Sequence, residues 1–154
     1  RVGWCVAPEQ ICKKLVVCKQ GSDVHTNIWS QILCCEFMQK YDFEAHLKSL
    51  RELYTKKAKL TESLLKEHLA PYGITYNKIE GGLFVWCTLP DGIDMTQFNK
   101  KALEKKVCVV PGVAFLTDEN EECNSFRINF STPTDDQLAK GIKALGEVAR
   151  EMTE

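Results

Sequence analysis

The sequence predicts an α+β (α/β) protein with a helical first half, then an antiparallel-rich sheet with helices on one face. Two observations carry this. Apolar residues recur at helical spacing through most of the stretch 9–69, and from Gly73 the pattern changes to short β-prone runs bounded by glycine and proline. One further helical stretch separates those runs and another follows them, so residues 73–154 read β-β-α-β-β-α.

Taken in order, residues 1–7 read as a short buried strand ended by Pro8. Residues 9–19 read as a helix with Ile11, Leu15, Val16 and Cys18 on its apolar face. Residues 20–27 (Gln-Gly-Ser-Asp-Val-His-Thr-Asn) favour a loop, because such side chains bond their own backbone. Residues 28–40 form a second helix, apolar on most sides. Asp42 can cap a third, in which Phe43, Leu47, Leu50, Tyr54, Ala58, Leu64 and Leu65 keep a near-helical period until Pro71 and Gly73. That helix would span roughly 40 Å, enough to link two bodies.

Beyond it, residues 74–79 and 83–89 are strand candidates around the turn Glu80-Gly81-Gly82. Asp94 with Gln97 three residues on resembles a capping box opening a helix to about Lys106. Residues 107–110 read as a strand before Pro111-Gly112, and 117–124 as an acidic loop. In residues 125–131, Phe126, Ile128 and Phe130 alternate with Ser125, Arg127, Asn129 and Ser131, the pattern of a strand with one apolar face. Thr132 to Asp136 opens a last helix striped with Leu138, Ile142, Leu145 and Val148.

Composition excludes several classes. The 154 residues carry 20 basic and 21 acidic side chains, so no basic surplus speaks for nucleic acid. Apolar runs are too short for a membrane span. The start, Arg1-Val2-Gly3-Trp4, lacks the pattern of a signal peptide and reads as the interior of a strand, so a fragment is expected. Most of the eight cysteines sit in apolar segments without C-x-x-C spacing; the expectation is buried free thiols in a reducing cytoplasm, with no metal site.

Chemistry points first to Arg127. A guanidinium on a strand can offer parallel N–H donors to a carboxylate, although periodicity alone favours a surface arginine in an ion pair. The turns Gly81-Gly82 and Pro111-Gly112 can bring backbone close to a ligand, or can be ordinary punctuation. His46 and His68 fall on the long charged helix, where solvation is expected. No lysine sits in an apolar strand–turn setting suited to Schiff-base work.

The order of motifs resembles fold-type I pyridoxal-phosphate (PLP) aminotransferases of class I/II, in their 2-aminoadipate, branched-chain and aromatic group. The matching segments are R-V-G-W at 1–4, the Lys19-to-Thr26 loop, G-G-L-F-V-W at 81–86, V-V-P-G-V-A-F at 109–115 and F-R-I-N-F-S at 126–131. The resemblance implies a C-terminal portion: residues 1–40 a remnant of the large PLP-binding domain, 41–72 an interdomain helix, and 73–154 the small domain. It implies Arg127 on the substrate α-carboxylate, with Gly81, Gly82 and the 111–115 turn lining the substrate side. It implies Arg1 on the cofactor phosphate, and the Ser22-to-Asn27 loop reaching a neighbouring subunit of a homodimer. The Schiff-base lysine would lie upstream of Arg1, leaving the chain without the catalytic base and inactive alone. The implied function is transfer of an amino group between an amino acid and a 2-oxo acid. Two alternatives are the aminotransferase-like half of a MocR-type transcription regulator and a free-standing α+β interaction module.

Overall fold

The structure, a computed structural model, describes residues 2–118 and 121–153. The chain divides into two compact units, one up to Lys48 and the other from Ser49 onward.

In the first unit, residues 2–8 have no regular secondary structure, with Trp4 89% and Val6 91% exposed. The buried strand expected there does not form, because a strand needs a neighbour's ladder and no described residue pairs with it. Helix α1 (Glu9–Ser22) starts after Pro8, with Glu9 favourably placed in its first turn and bonded one turn on to Lys13. It outruns its expected end at Lys19: the backbone N–H groups of Asp23 and Val24 both donate to the Lys19 carbonyl and close the last turn. Asn27 caps α2 (Ile28–Lys40), its Oδ1 accepting from Ser30 N at 3.1 Å. Phe37 stacks on Tyr41 and meets Phe43 and His46 edge-on, so His46 has an aromatic neighbour. Neither α1 nor α2 buries a residue.

That last fact corrects the cysteine expectation. All eight thiols are free, but only Cys87 is buried. Cys5, Cys18, Cys34 and Cys35 are exposed because the apolar segments around them do not pack into a core among the described residues; Cys108 is exposed in the second unit.

Helix α3 (Phe43–His68) begins with Asp42 Oδ1 accepting from Ala45 N at 2.9 Å. Its C-terminal half buries Thr61, Leu64 and Leu65. A 3-10 turn at Ala70–Tyr72 then leads to Gly73, whose φ of 78° ends it. The strands are β1 (Thr75–Tyr76), β2 (Phe84–Thr88), β3 (Val110–Pro111) and β4 (Ser125–Asn129), in the order β1-β2-β4-β3 with every pair antiparallel. Helix α4 (Met95–Glu104) opens on the Asp94 cap, with Gln97 N donating at 2.7 Å. Helix α5 (Asp135–Thr153) opens on a reciprocal pair: Thr134 N donates to Gln137 Oε1, and Gln137 N to Thr134 Oγ1.

Alternation along β2 and β4 gives the sheet its two faces. Val85, Cys87, Phe126 and Ile128 point into a core with Leu65, Phe98, Ala102, Leu138, Ile142 and Leu145. Phe98 and Phe126 meet at 5.2 Å between ring centroids. Lys105 joins α4 to α5 through Glu147 at 3.1 Å and Glu151 at 2.9 Å, holding the Glu151 carboxyl below its ordinary range. His68, at the end of α3, is partly covered rather than solvated, with a side chain only 25% exposed. The expected strand at 107–110 is reduced to Val110–Pro111, because Lys106 adopts φ 63° and the Val107 N–H turns back to the Ala102 carbonyl.

Candidate carboxylate-binding site

The opposite face of the sheet carries the candidate site. Register places Phe84 opposite Asn129, Trp86 opposite Arg127, and Thr88 opposite Ser125, with Val110 pairing Arg127 on its other side. Thr88 and Ser125 share a hydroxyl–hydroxyl hydrogen bond of 3.0 Å. Arg127 is half-buried in the middle strand of this arrangement.

Its guanidinium lies against two aromatic rings. The carbon Cζ is 4.1 Å from the Phe84 ring centroid and 4.9 Å from that of Phe115. Trp86 meets Phe115 at 5.4 Å with planes at 72°, an edge-to-face contact. No ion pair or side-chain hydrogen bond engages Arg127 among the described residues. The surface ion pair that periodicity favoured is therefore absent there, and the arginine is flanked by ring faces instead.

Two glycine-bearing turns deliver those rings. Gly81-Gly82 precedes Leu83-Phe84; Gly82 has φ 77°, a left-handed conformation that suits glycine, and the Leu83 carbonyl accepts from Phe130 N. The second turn follows β3 as a 3-10 turn over Gly112–Phe115. Gly112 is buried where a Cβ would lie 2.4 Å from Cys123 Sγ, 2.9 Å from the Ser125 carbonyl oxygen and 3.2 Å from Trp86 Cζ2. Only glycine lets this turn lie so close to β4 and Trp86, and Phe115 follows from it onto Arg127.

Beside the same turn, a cleft of about 460 Å³ is lined by Asn99, Pro111, Val113 and the acidic Asp94, Glu121 and Glu122. Its charge disfavours an anion. Arg1 lies outside the described residues. Gly81 and Gly82 reach the site through Phe84. The loop after α1 belongs to the first unit, where Gln31 Nε2 donates to the Thr26 carbonyl at 3.0 Å.

Among the described residues no group of three or more His, Cys, Asp or Glu side chains is placed to hold a metal. No helix there is long and apolar enough to cross a membrane. Every described lysine is exposed except Lys19, Lys57, Lys101 and Lys105, and each of these is engaged by a carboxylate or a carbonyl.

Sequence reasoning chose Arg127 and both turns but not the ring pair. For Phe84 the signal was its alternation with Trp86, which puts both on the Arg127 face once the strands are paired; Phe115, in the turn after β3, had no such local signal.

The model of the family "Aminotransferase class I and II" matches residues 1–145. Aromatic-amino-acid aminotransferase 1 of Thermococcus litoralis is 34% identical over 98% of the chain and 36% of its own length. The crystal structure of the alpha-aminoadipate aminotransferase LysN from Thermus thermophilus, complexed with N-(5'-phosphopyridoxyl)-L-leucine, superposes with a TM-score of 0.80 at 32% identity. It covers 96% of the chain and 37% of LysN. The uncharacterized HTH-type transcriptional regulator YdfD of Bacillus subtilis is 28% identical over 99% of the chain and 31% of its own length. The chain thus spans only about a third of the length of the relatives it matches, and its fold is that of the C-terminal domain of fold-type I aminotransferases. With the family model matched over nearly all of it and the sheet superposed on a member's, the chain belongs to the class I and II aminotransferases as a C-terminal portion of the aromatic and aminoadipate group.

Proposed function

We propose that this chain is the substrate-gripping part of a PLP-dependent aminotransferase that moves an amino group between an amino acid and a 2-oxo acid. The observation that carries the reading is Arg127: a guanidinium fixed on a central strand, flanked by two rings and free of carboxylate partners among the described residues. Its N–H edge can take both oxygens of an α-carboxylate. PLP, held by residues outside this chain apart from the expected Arg1 contact to its phosphate, supplies the electron sink. This chain's own share is to bind and orient. Holding the carboxylate fixes the Cα–H bond relative to the reacting centre and turns a diffusive encounter into a positioned one. Gly81, Gly82 and the 111–115 turn line the substrate side.

The domain reading follows the same proposal: residues 1–40 belong with a large PLP-binding domain, 41–72 link, and 73–154 form the small domain. The whole protein is proposed as a cytoplasmic homodimer to which the Ser22-to-Asn27 loop contributes across the interface. Its Schiff-base lysine lies upstream of Arg1, so the chain alone is inactive.

The test is Arg127→Ala and Arg127→Lys in the full-length, PLP-loaded protein. Loss of the charged, forked contact is expected to raise the barrier in kcat/KM by about 2–5 kcal/mol for every amino donor alike. Lys is expected to recover only part, since an ammonium cannot make the fork. Near-normal kcat/KM for all donors in Arg127→Ala refutes the reading. The similarity to YdfD supports a second one, in which the same arginine holds an amino-acid effector in a regulator. A helix-turn-helix domain upstream in the full reading frame, with ligand-dependent DNA binding and no turnover, selects it.

A further inference from the structure

We infer that Phe84 and Phe115 are positioning residues that set the orientation of the Arg127 guanidinium for carboxylate capture; the inference rests on the proposed role of Arg127. Their ring centroids lie 4.1 and 4.9 Å from Cζ, both within the ~6 Å over which a ring face attracts a cation. Ring faces offer no strong hydrogen-bond acceptor, so a guanidinium held against them keeps its N–H donors available. The side chain is therefore held in place while its donors stay open.

The two rings come from different elements, which makes the hold rigid. Phe84 is the first residue of β2, and Phe115 ends the turn after β3. Trp86, paired in register with Arg127, braces Phe115 edge-on at 5.4 Å. Buried Gly112 fixes the turn against Trp86 and the Ser125 carbonyl. The chain of contacts runs Gly112–Trp86–Phe115–Arg127, and none of these groups carries a negative charge that would compete for the guanidinium. An arginine without such support would sample many rotamers and lose that freedom only on binding.

The test uses the full-length PLP-loaded protein and two unreactive probes of equal shape, 3-phenylpropanoate and 3-phenylpropanamide. Calorimetry gives a Kd for each, independent of turnover. Phe84→Leu and Phe115→Leu are each expected to weaken the carboxylate roughly 3- to 30-fold while moving the amide little. Phe84→Tyr and Phe115→Tyr, which keep the ring, are expected to stay within about twofold of the parent. In an Arg127→Ala background the leucine substitutions are expected to add nothing, since there is no guanidinium left to orient. Phe84 is 42% and Phe115 49% exposed, so leucine is accommodated; Phe84→Met and Phe115→Met repeat the experiment with a different shape. An unchanged carboxylate-to-amide ratio in the leucine and methionine variants, beside a lost ratio in Arg127→Ala, overturns the inference alone. A leucine effect that persists without Arg127 also overturns it, because the rings would then be touching the ligand. A ratio unchanged in Arg127→Ala overturns the carboxylate role on which the inference depends.

Discussion

Replacing Gly112 by alanine tests the packing that holds the site together. The added methyl would stand 2.4 Å from Cys123 Sγ and 2.9 Å from the Ser125 carbonyl oxygen. Ordinary carbon contacts settle near ~3.5–4.0 Å, so the first overlap exceeds about 1 Å. The sulfur is on a side chain and can give, whereas the oxygen belongs to the backbone of β4 and moves only with the strand. Overpacking of this kind costs about 1–3 kcal/mol, and the backbone contact places Gly112→Ala toward about 3 kcal/mol. Adding Cys123→Ala removes the sulfur but not the carbonyl, so about half of the loss is expected to return. Trp86 lies beside this turn, so urea unfolding in a Trp4→Phe, Trp29→Phe background is read there by fluorescence. Gly112→Ala equal to the parent within about 0.5 kcal/mol, or a double variant with no recovery, refutes the close-approach argument.

Other outcomes follow from burial. Phe126→Ala removes a ring with no exposure that meets Phe98, and is expected to lower stability by about 3–5 kcal/mol in the same urea assay. Burial pushes the Cys87 thiol up to about 12, from the usual 9.0. Its folded form resists ionisation, so the contribution is intact below pH 9.0 and declines as pH rises toward about 12; unfolding curves across that window that are identical for the parent and Cys87→Ala, after their neutral-pH offset, refute it. Cys87 is also expected to be the last thiol modified by a disulfide reagent at pH 8, reacting only on unfolding. The isolated chain is expected to self-associate through Trp4, Val17, Trp29 and Leu33, all more than 60% exposed, with Trp29→Glu and Leu33→Lys together weakening association; sedimentation showing only monomer for the parent at high concentration counts against this.

How much of this was legible depended on the range of the forces involved. Capping and alternation are local, so Asp42, Asp94 and the Phe126-Ile128-Phe130 stripe marked their elements from sequence. Arg127 was legible as a cation on the polar face of a strand, since a strand's faces are fixed by its own period. Its neighbours were not. Whether it met a carboxylate or a ring depended on the pairing of Trp86 with Arg127 and on how the 112–115 turn folds back, and those are non-local. The stretch 1–7 misled for a related reason. Its composition fits a strand, but ladder bonds come from a neighbour, and none of the described residues supplies one.

The two sides of β4 answer different demands with one alternation. Phe126 and Ile128 lock the strand to α4 and α5, so the backbone that carries Arg127 moves only with the core. On the other side, the strand positions around Arg127 are Phe84, Trp86, Thr88, Val110, Ser125 and Asn129, none of them acidic. The acidic side chains gather instead in the cleft past Pro111, where Asp94, Glu121 and Glu122 repel an anion. Under the proposed carboxylate role of Arg127, an approaching anion would be met beside Phe84 and Phe115. There the charge sits on a strand with two rings against it, and among the described residues no carboxylate pairs with it. In that proposal, selectivity for the anion arises from what the sequence keeps away from Arg127 as much as from the arginine itself.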